Sequence, residues 1–359
     1  MRTGLPALLV FLVLAGSGVC SDAHAQAPGP APAKRYPWDM RQPKCFLPDA
    51  IPSRQCMAED WPSYFETKER VQRLLLNPDL DLILRTEKDL GFSQKRFPTG
   101  QYYFEAWYSA LETILSESNP RSYQLVEEWA KAEGKDGYAK IAEALLQYGE
   151  AWRARGPGFA NSVSREGWNI YERKLREANQ VLDSAPERVK GLGAWYALKL
   201  RIAYQLPDPD ASRARLLAAG TDLWPDYVPL YGISMLHSLP RWGGTYKQVD
   251  EIAHMAYEKS RARWGASLYS LAYGLIFSTR CDCTIADTLV DWDLMKQGLR
   301  DIEKQGGGNA EVWHGYATFA CDMRDRKEAR RLLDLSDKLR TNRSAAPPDP
   351  CREFAFSAT

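Results

Sequence analysis

Apolar side chains recur at intervals of three and four from Trp61 to Leu339, the period of one face of an α-helix. Tyr103, Trp107, Leu111, Ile114 and Leu115 make the strongest such run, and comparable faces follow around residues 138–152, 168–182, 195–204, 249–257, 268–277 and 289–302. Breaks separate them. Asn77 ends one helix and Pro78 is expected at the first position of the next, Asn119-Pro120 ends one and opens another, and Gly156, Pro186 and Leu206-Pro207-Asp208-Pro209 stop the rest. No period-two pattern of a strand occurs. The spacing predicts about thirteen or fourteen helices stacked as hairpins, an all-α fold of the α-solenoid kind.

One stretch interrupts this regularity. Residues 224–245, WPDYVPLYGISMLHSLPRWGGT, hold Pro225, Pro229 and Pro240 together with Gly243-Gly244, which forbids one continuous helix. Tyr227, Leu230, Tyr231, Ile233 and Met235 still support a short helix with Pro229 in its first turn, and Thr245 with Gln248 reads as a capping box opening the next helix. The segment is expected to be the joint around which the repeats are arranged.

Composition adds a compartment. Arg2, an apolar run over 5–15 and Ala23-His24-Ala25 have the layout of a secretory signal peptide, so 1–25 is expected to be removed on export and the protein to be periplasmic or secreted. The run is shorter than the about 20 residues a spanning helix needs, and no transmembrane segment is expected after cleavage. Residues 26–58 form a Pro-rich leader, 59–341 the helical-repeat domain and 342–359 a C-terminal tail. The formal charge of +1 argues against a nucleic-acid partner. Six cysteines follow the signal, Cys45, Cys56, Cys281, Cys283, Cys321 and Cys351, and an even number in an oxidising compartment predicts disulfides. Sequence leaves the pairing open. Cys45 with Cys56 would close a short loop in the leader, and the other four would tie the last helices to the tail.

Trp313 precedes Ala329 by sixteen residues, as Trp195 precedes Ala211, each pair straddling a helix turn. This resembles the tetratricopeptide repeat, with a large residue in the first helix and a small one in the second. The resemblance implies a right-handed solenoid of irregular tetratricopeptide-like hairpins. Residues 61–339 also resemble the bacterial domain-of-unknown-function family 4034, through Ala151-Trp152-Arg153-Ala154-Arg155-Gly156, Trp224-Pro225-Asp226-Tyr227 with Pro229-Leu230-Tyr231, and Leu239-Pro240-Arg241-Trp242-Gly243-Gly244. Membership would imply the helical-repeat fold and no assigned activity.

A solenoid with this aromatic content is expected to bind a protein, a peptide or an envelope polymer along an extended face. Trp152, Arg153, Arg155, Tyr227, Tyr231, Arg241 and Trp242 are the candidate binding residues, since rings and forked guanidinium groups dominate interfaces. The same residues have a structural use, with the aromatics as core and the arginines capping helix ends. The alternative is a carbohydrate-active α/α-toroid enzyme, which needs two carboxylates across a cleft. Glu143, Glu150, Glu166, Asp226 and Asp250 are available, and no motif selects two of them. His237, His254 and His314 lack metal-ligand spacing, Ser234 and Ser238 lack the surroundings of a hydrolase nucleophile, and Gly243-Gly244 and 306–308 read as turns. No catalytic residue, metal or cofactor is implied.

Overall fold

The computed structural model describes residues 61, 63–97, 100–134, 137–207, 210–277, 284–340 and 349–357. The signal segment, the Pro-rich leader, and Cys45, Cys56, Cys281 and Cys283 lie outside the described residues. The fold is all-α. Among the described residues there are sixteen α-helices and no strand: α1 Tyr64–Leu76, α2 Leu80–Thr86, α3 Tyr103–Leu115, α4 Pro120–Glu133, α5 Ala139–Arg155, α6 Arg165–Asp183, α7 Glu187–Lys190, α8 Gly193–Gln205, α9 Asp210–Leu223, α10 Val228–His237, α11 Tyr246–Trp264, α12 Ser267–Phe277, α13 Trp292–Lys304, α14 Ala310–Asp322, α15 Arg326–Leu339 and α16 Pro350–Phe356. Successive helices pack on one another, with α5 on α6, α8 on α9, α10 on α11 and α14 on α15 as hairpins.

Local chemistry sets the boundaries. Asn119 accepts from the Ser122 amide ahead of Pro120 in α4, and Asn309 accepts from the Val312 amide to open α14. Pro78 does not start α2. Asp79 is the cap, accepting from the Leu82 amide, so the proline stands just outside the helix. The helix after it continues through a π-helical turn, Glu87–Gly91, whose buried Glu87 accepts from the Trp129 indole at 2.7 Å.

The buried apolar residues form two cores, and α10 belongs to both. Its Leu230 and Ile233 close the first core, which begins at Val71, while Tyr231, Met235 and Leu236 open the second, which runs to Ala355. The expected joint therefore lies where the cores meet. Pro229 falls in the first turn of α10, where its missing N–H has no helical partner to lose. Beyond α10 a 3-10 turn, Pro240–Trp242, ends on Gly243 at φ 88°. A Cβ at Gly244 would stand 2.2 Å from the Ser238 carbonyl oxygen, so only glycine fits. The capping box follows as expected: Thr245 accepts from the Gln248 amide, and the Gln248 side chain accepts from the Thr245 amide at 2.9 Å.

Of the two spaced pairs, Trp313 and Ala329 are both buried within the α14–α15 hairpin. Ala211 is exposed in the first turn of α9, whereas Trp195 is buried. Within the segment expected as a tail, α16 packs on α14 and α15 and is bonded to α14 by the Cys321–Cys351 disulfide.

Candidate functional site

Asp226 is the polar centre of the joint. Its buried carboxylate accepts from Arg96 Nη2 at 2.6 Å, from Trp264 Nε1 at 2.6 Å and from the Tyr102 hydroxyl. Arg96 is fixed twice more, donating from Nη1 to the Gly100 carbonyl at 2.8 Å and lying 3.4 Å over the Tyr102 ring. Three distant parts of the chain are clamped at one carboxylate: the loop before α3, the turn before α10 and the end of α11. Burial by itself raises the Asp226 pKa. The hydrogen bonds from Tyr102, Trp264 and Arg96, with the charge of Arg96, outweigh it and hold the carboxyl below its usual value. Glu105, which accepts from the Tyr102 amide at 2.8 Å and caps α3, moves the other way. Burial pushes it up to about 8 against the Tyr102 hydrogen bond and the Arg96 charge, with Asp226 adding to the rise. Carboxyls driven apart in this manner can form an acid–base pair. Here both are engaged in holding backbone and side chains together.

A second arrangement is a band of rings and guanidinium groups running across α5, α6, α8 and α10. Trp152 packs edge-on against Tyr148, 6.3 Å away, and against Tyr171 of α6 at 5.5 Å. The Tyr171 hydroxyl donates to Gln205 Oε1 on α8 at 2.5 Å. Next to it in sequence, Tyr204 stacks on His237 at the end of α10, 4.6 Å apart and within 6° of parallel. His237 lies 6.3 Å from Trp242, whose ring is covered by Arg241 at 5.2 Å. Arg213 covers Tyr204 at 5.3 Å and donates to the Ala203 and Leu206 carbonyls that end α8.

The electrostatics of this band are set by three arginines. Burial, and then the charges of Arg213, Arg201 and Arg241, push His237 down to about 3, so its ring is a neutral stacking surface at physiological pH. Arg201 is buried and ion-paired to Glu112 of α3. Its Nε, the Trp242 Nε1 and the Ser234 hydroxyl are buried with no hydrogen-bond partner among the described residues. Buried donors without acceptors are costly, of order 1–3 kcal/mol each.

The residues expected to bind a partner thus divide. Trp152, Arg241 and Trp242 belong to the band. Arg155 is buried at the end of α5, donating to the Gly156 and Gly158 carbonyls at 2.9 and 2.8 Å between the rings of Trp152 and Trp168. It finishes the helix, as a cation at a C-terminus should. Arg153 is exposed and donates to the Glu117 carbonyl. Tyr227 is core, 5.0 Å from Phe104, and Tyr231 is wholly buried with its hydroxyl on the Pro225 carbonyl at 2.7 Å. Neither offers a surface to a partner.

Four of the five acids considered for catalysis have separate partners, Asp226 in the clamp among them. Glu143 pairs with Lys140 and Glu150 with Lys174, each at 2.7 Å. Asp250 accepts from the Tyr269 and Tyr273 hydroxyls, both at 2.9 Å, and Glu166 is exposed in the first turn of α6. Sequence reasoning missed Arg96, Tyr102, Trp264, Tyr204, Arg213 and Arg201. Gly100 was the one local signal for the first three, since its φ of 96° lays the loop against the Trp264 ring.

No helix among the described residues is long and apolar enough to cross a membrane. No family model, curated protein or solved structure matches the chain.

Proposed function

We propose that this protein is an exported, periplasmic or secreted scaffold, without catalytic activity, whose band from Trp152 to Trp242 binds an extended segment of a peptide, protein or envelope polymer. The observation that carries this reading is the run of partly exposed rings along the band, with Tyr204 stacked on His237 at 4.6 Å and Trp242 6.3 Å further on. The planar rings offer contact area at low entropy cost, and the Arg241 guanidinium over the Trp242 ring adds a cation to that face. The resemblance to family 4034 is part of the same proposal. Its three stretches of likeness build the end of α5, the Asp226 clamp and the turn after α10. The Cys321–Cys351 bond supports an oxidising compartment.

The test uses the full exported chain, titrated calorimetrically with acidic peptides and with an anionic envelope polysaccharide. Saturable binding that Trp242→Phe and Trp152→Phe each weaken, at unchanged melting temperature, supports the scaffold. Cleavage of the polysaccharide would overturn it in favour of the toroid enzyme, with Glu105 and Asp226 as the first carboxyls to replace.

A further inference from the structure

We propose that the cleft beside Asp226 is a separate site for a small anion, a carboxylate or a phosphate group. The cleft has a volume of about 200 Å³ and is bounded by Arg96, Tyr102, Asp226, Lys259, Arg263 and Trp264. Three cations therefore face one carboxylate. That carboxylate is saturated by Arg96, Tyr102 and Trp264, so it has little capacity left for a cationic guest.

The two remaining cations are available at the rim. Lys259 is partly buried and pairs with Asp222, which lies outside the cleft and is largely exposed, so solvent screens the Asp222 side of the pair and a bound ion can compete for the ammonium. Arg263 makes no ion pair and no hydrogen bond among the described residues, and its guanidinium rests 5.3 Å over the Trp264 ring. Its neighbour Arg261 shows the ordinary use of a cation at this helix end, pairing with Glu258 at 3.0 Å. Arg263 departs from that use by turning to the cleft. The back wall is rigid, because Arg96 is fixed by the Gly100 carbonyl and Asp226. An anion between Lys259 and Arg263 gains charge-assisted hydrogen bonds from side chains whose positions the wall already limits. The volume suits a group of about six heavy atoms, with any flat portion against Trp264.

Trp264 makes the site measurable. The full chain is titrated at low ionic strength with inorganic phosphate and, separately, with acetate, following indole fluorescence and heat. Saturable binding is expected for at least one, and the stronger probe identifies the anion's chemistry. Arg263→Ala and Lys259→Ala are each expected to weaken it tenfold or more, as loss of a charge-assisted contact does, without lowering the melting temperature. Arg300→Ala, which removes an exposed cation on α13, and Trp242→Phe in the band are expected to leave it unchanged. Failure of both probes to saturate overturns the proposal, as does an equal loss in Arg300→Ala, which would mean general attraction to surface charge. Because Trp242→Phe tests only the band, the two proposals fail independently.

Discussion

Arg96 and Asp226 are 130 residues apart in the chain and 2.6 Å apart in the fold, and both side chains are nearly closed to solvent. A buried pair of this sort adds modest net stability, since each ion has lost its water, but removing one partner strands the other. Asp226→Ala leaves the Arg96 guanidinium, the Tyr102 hydroxyl and the Trp264 indole without their acceptor. It is expected to lower unfolding free energy by about 3–5 kcal/mol, and Asp226→Asn, which keeps an acceptor, by less. Urea titration gives the values. A double-mutant cycle with Arg96→Ala should show strong coupling, and additive losses would mean that the pair does not hold the two segments together.

Glu105 gives the clamp a pH dependence. In the folded chain it keeps its proton up to about 8, against an ordinary value of 4.5. Between those values the folded state binds a proton that the unfolded state has released, so stability falls as pH rises through this window. Arg96 opposes the shift, while Asp226 adds to it. Glu105→Gln keeps the acceptor for the Tyr102 amide and cannot ionise. Relative to it, the wild type should lose about 2 kcal/mol from pH 4.5 to 8, less than full conversion of the shift because Glu105 keeps some solvent contact. Parallel denaturation curves at the two pH values settle the sign.

The Cys321–Cys351 bond closes a sequence separation of 30 and holds α16 to the end of the second core. By the loop-entropy model, Cys351→Ala should cost about 3–4 kcal/mol if α16 unfolds with the rest. A smaller loss, with faster amide exchange confined to 349–357, would show that α16 comes away alone. Reduction of the wild type should reproduce whichever result the variant gives.

What was legible in the sequence follows from range. Helix starts at Asn119, Thr245 and Asn309 depend on side chains within three residues of the amides they cap, so the local pattern was enough. The break at Pro225, Pro229 and Pro240 was local too, and it fell where the two cores meet. The clamp was not visible, because Asp226 stands 130 residues from Arg96 and 124 from Tyr102 until the fold brings them together. The π turn at Glu87 was hidden for the same reason. Its buried carboxylate depends on Trp129, 42 residues away. Trp242 and Arg241 were recognised by residue type, whereas Tyr204 and Arg213 join them only through packing of α8 and α9. Tyr227 and Tyr231 fit the same composition rule and are core, since the rule sees aromatic rings and not the direction they face.

His237 tests whether the band is assembled as described. Its ring stays neutral down to about 3, against an ordinary value of 6.5, because burial and the charges of Arg213, Arg201 and Arg241 oppose a further positive charge. The unfolded chain takes up the proton near pH 6.5 and the folded chain does not, so stability falls as pH drops from 6.5 towards 3 and levels off once both forms are protonated. His237→Phe keeps a flat ring against Tyr204 and does not titrate. The wild type should therefore melt progressively lower than this variant as pH is taken from 7 to 4, with the difference gone above 7 apart from a constant offset. Direct titration by NMR should find the imidazole unprotonated at pH 5. A ring that titrates near 6.5 would mean that it is not buried beside the three arginines, and the stacked face assigned to ligand binding would then not be assembled as described.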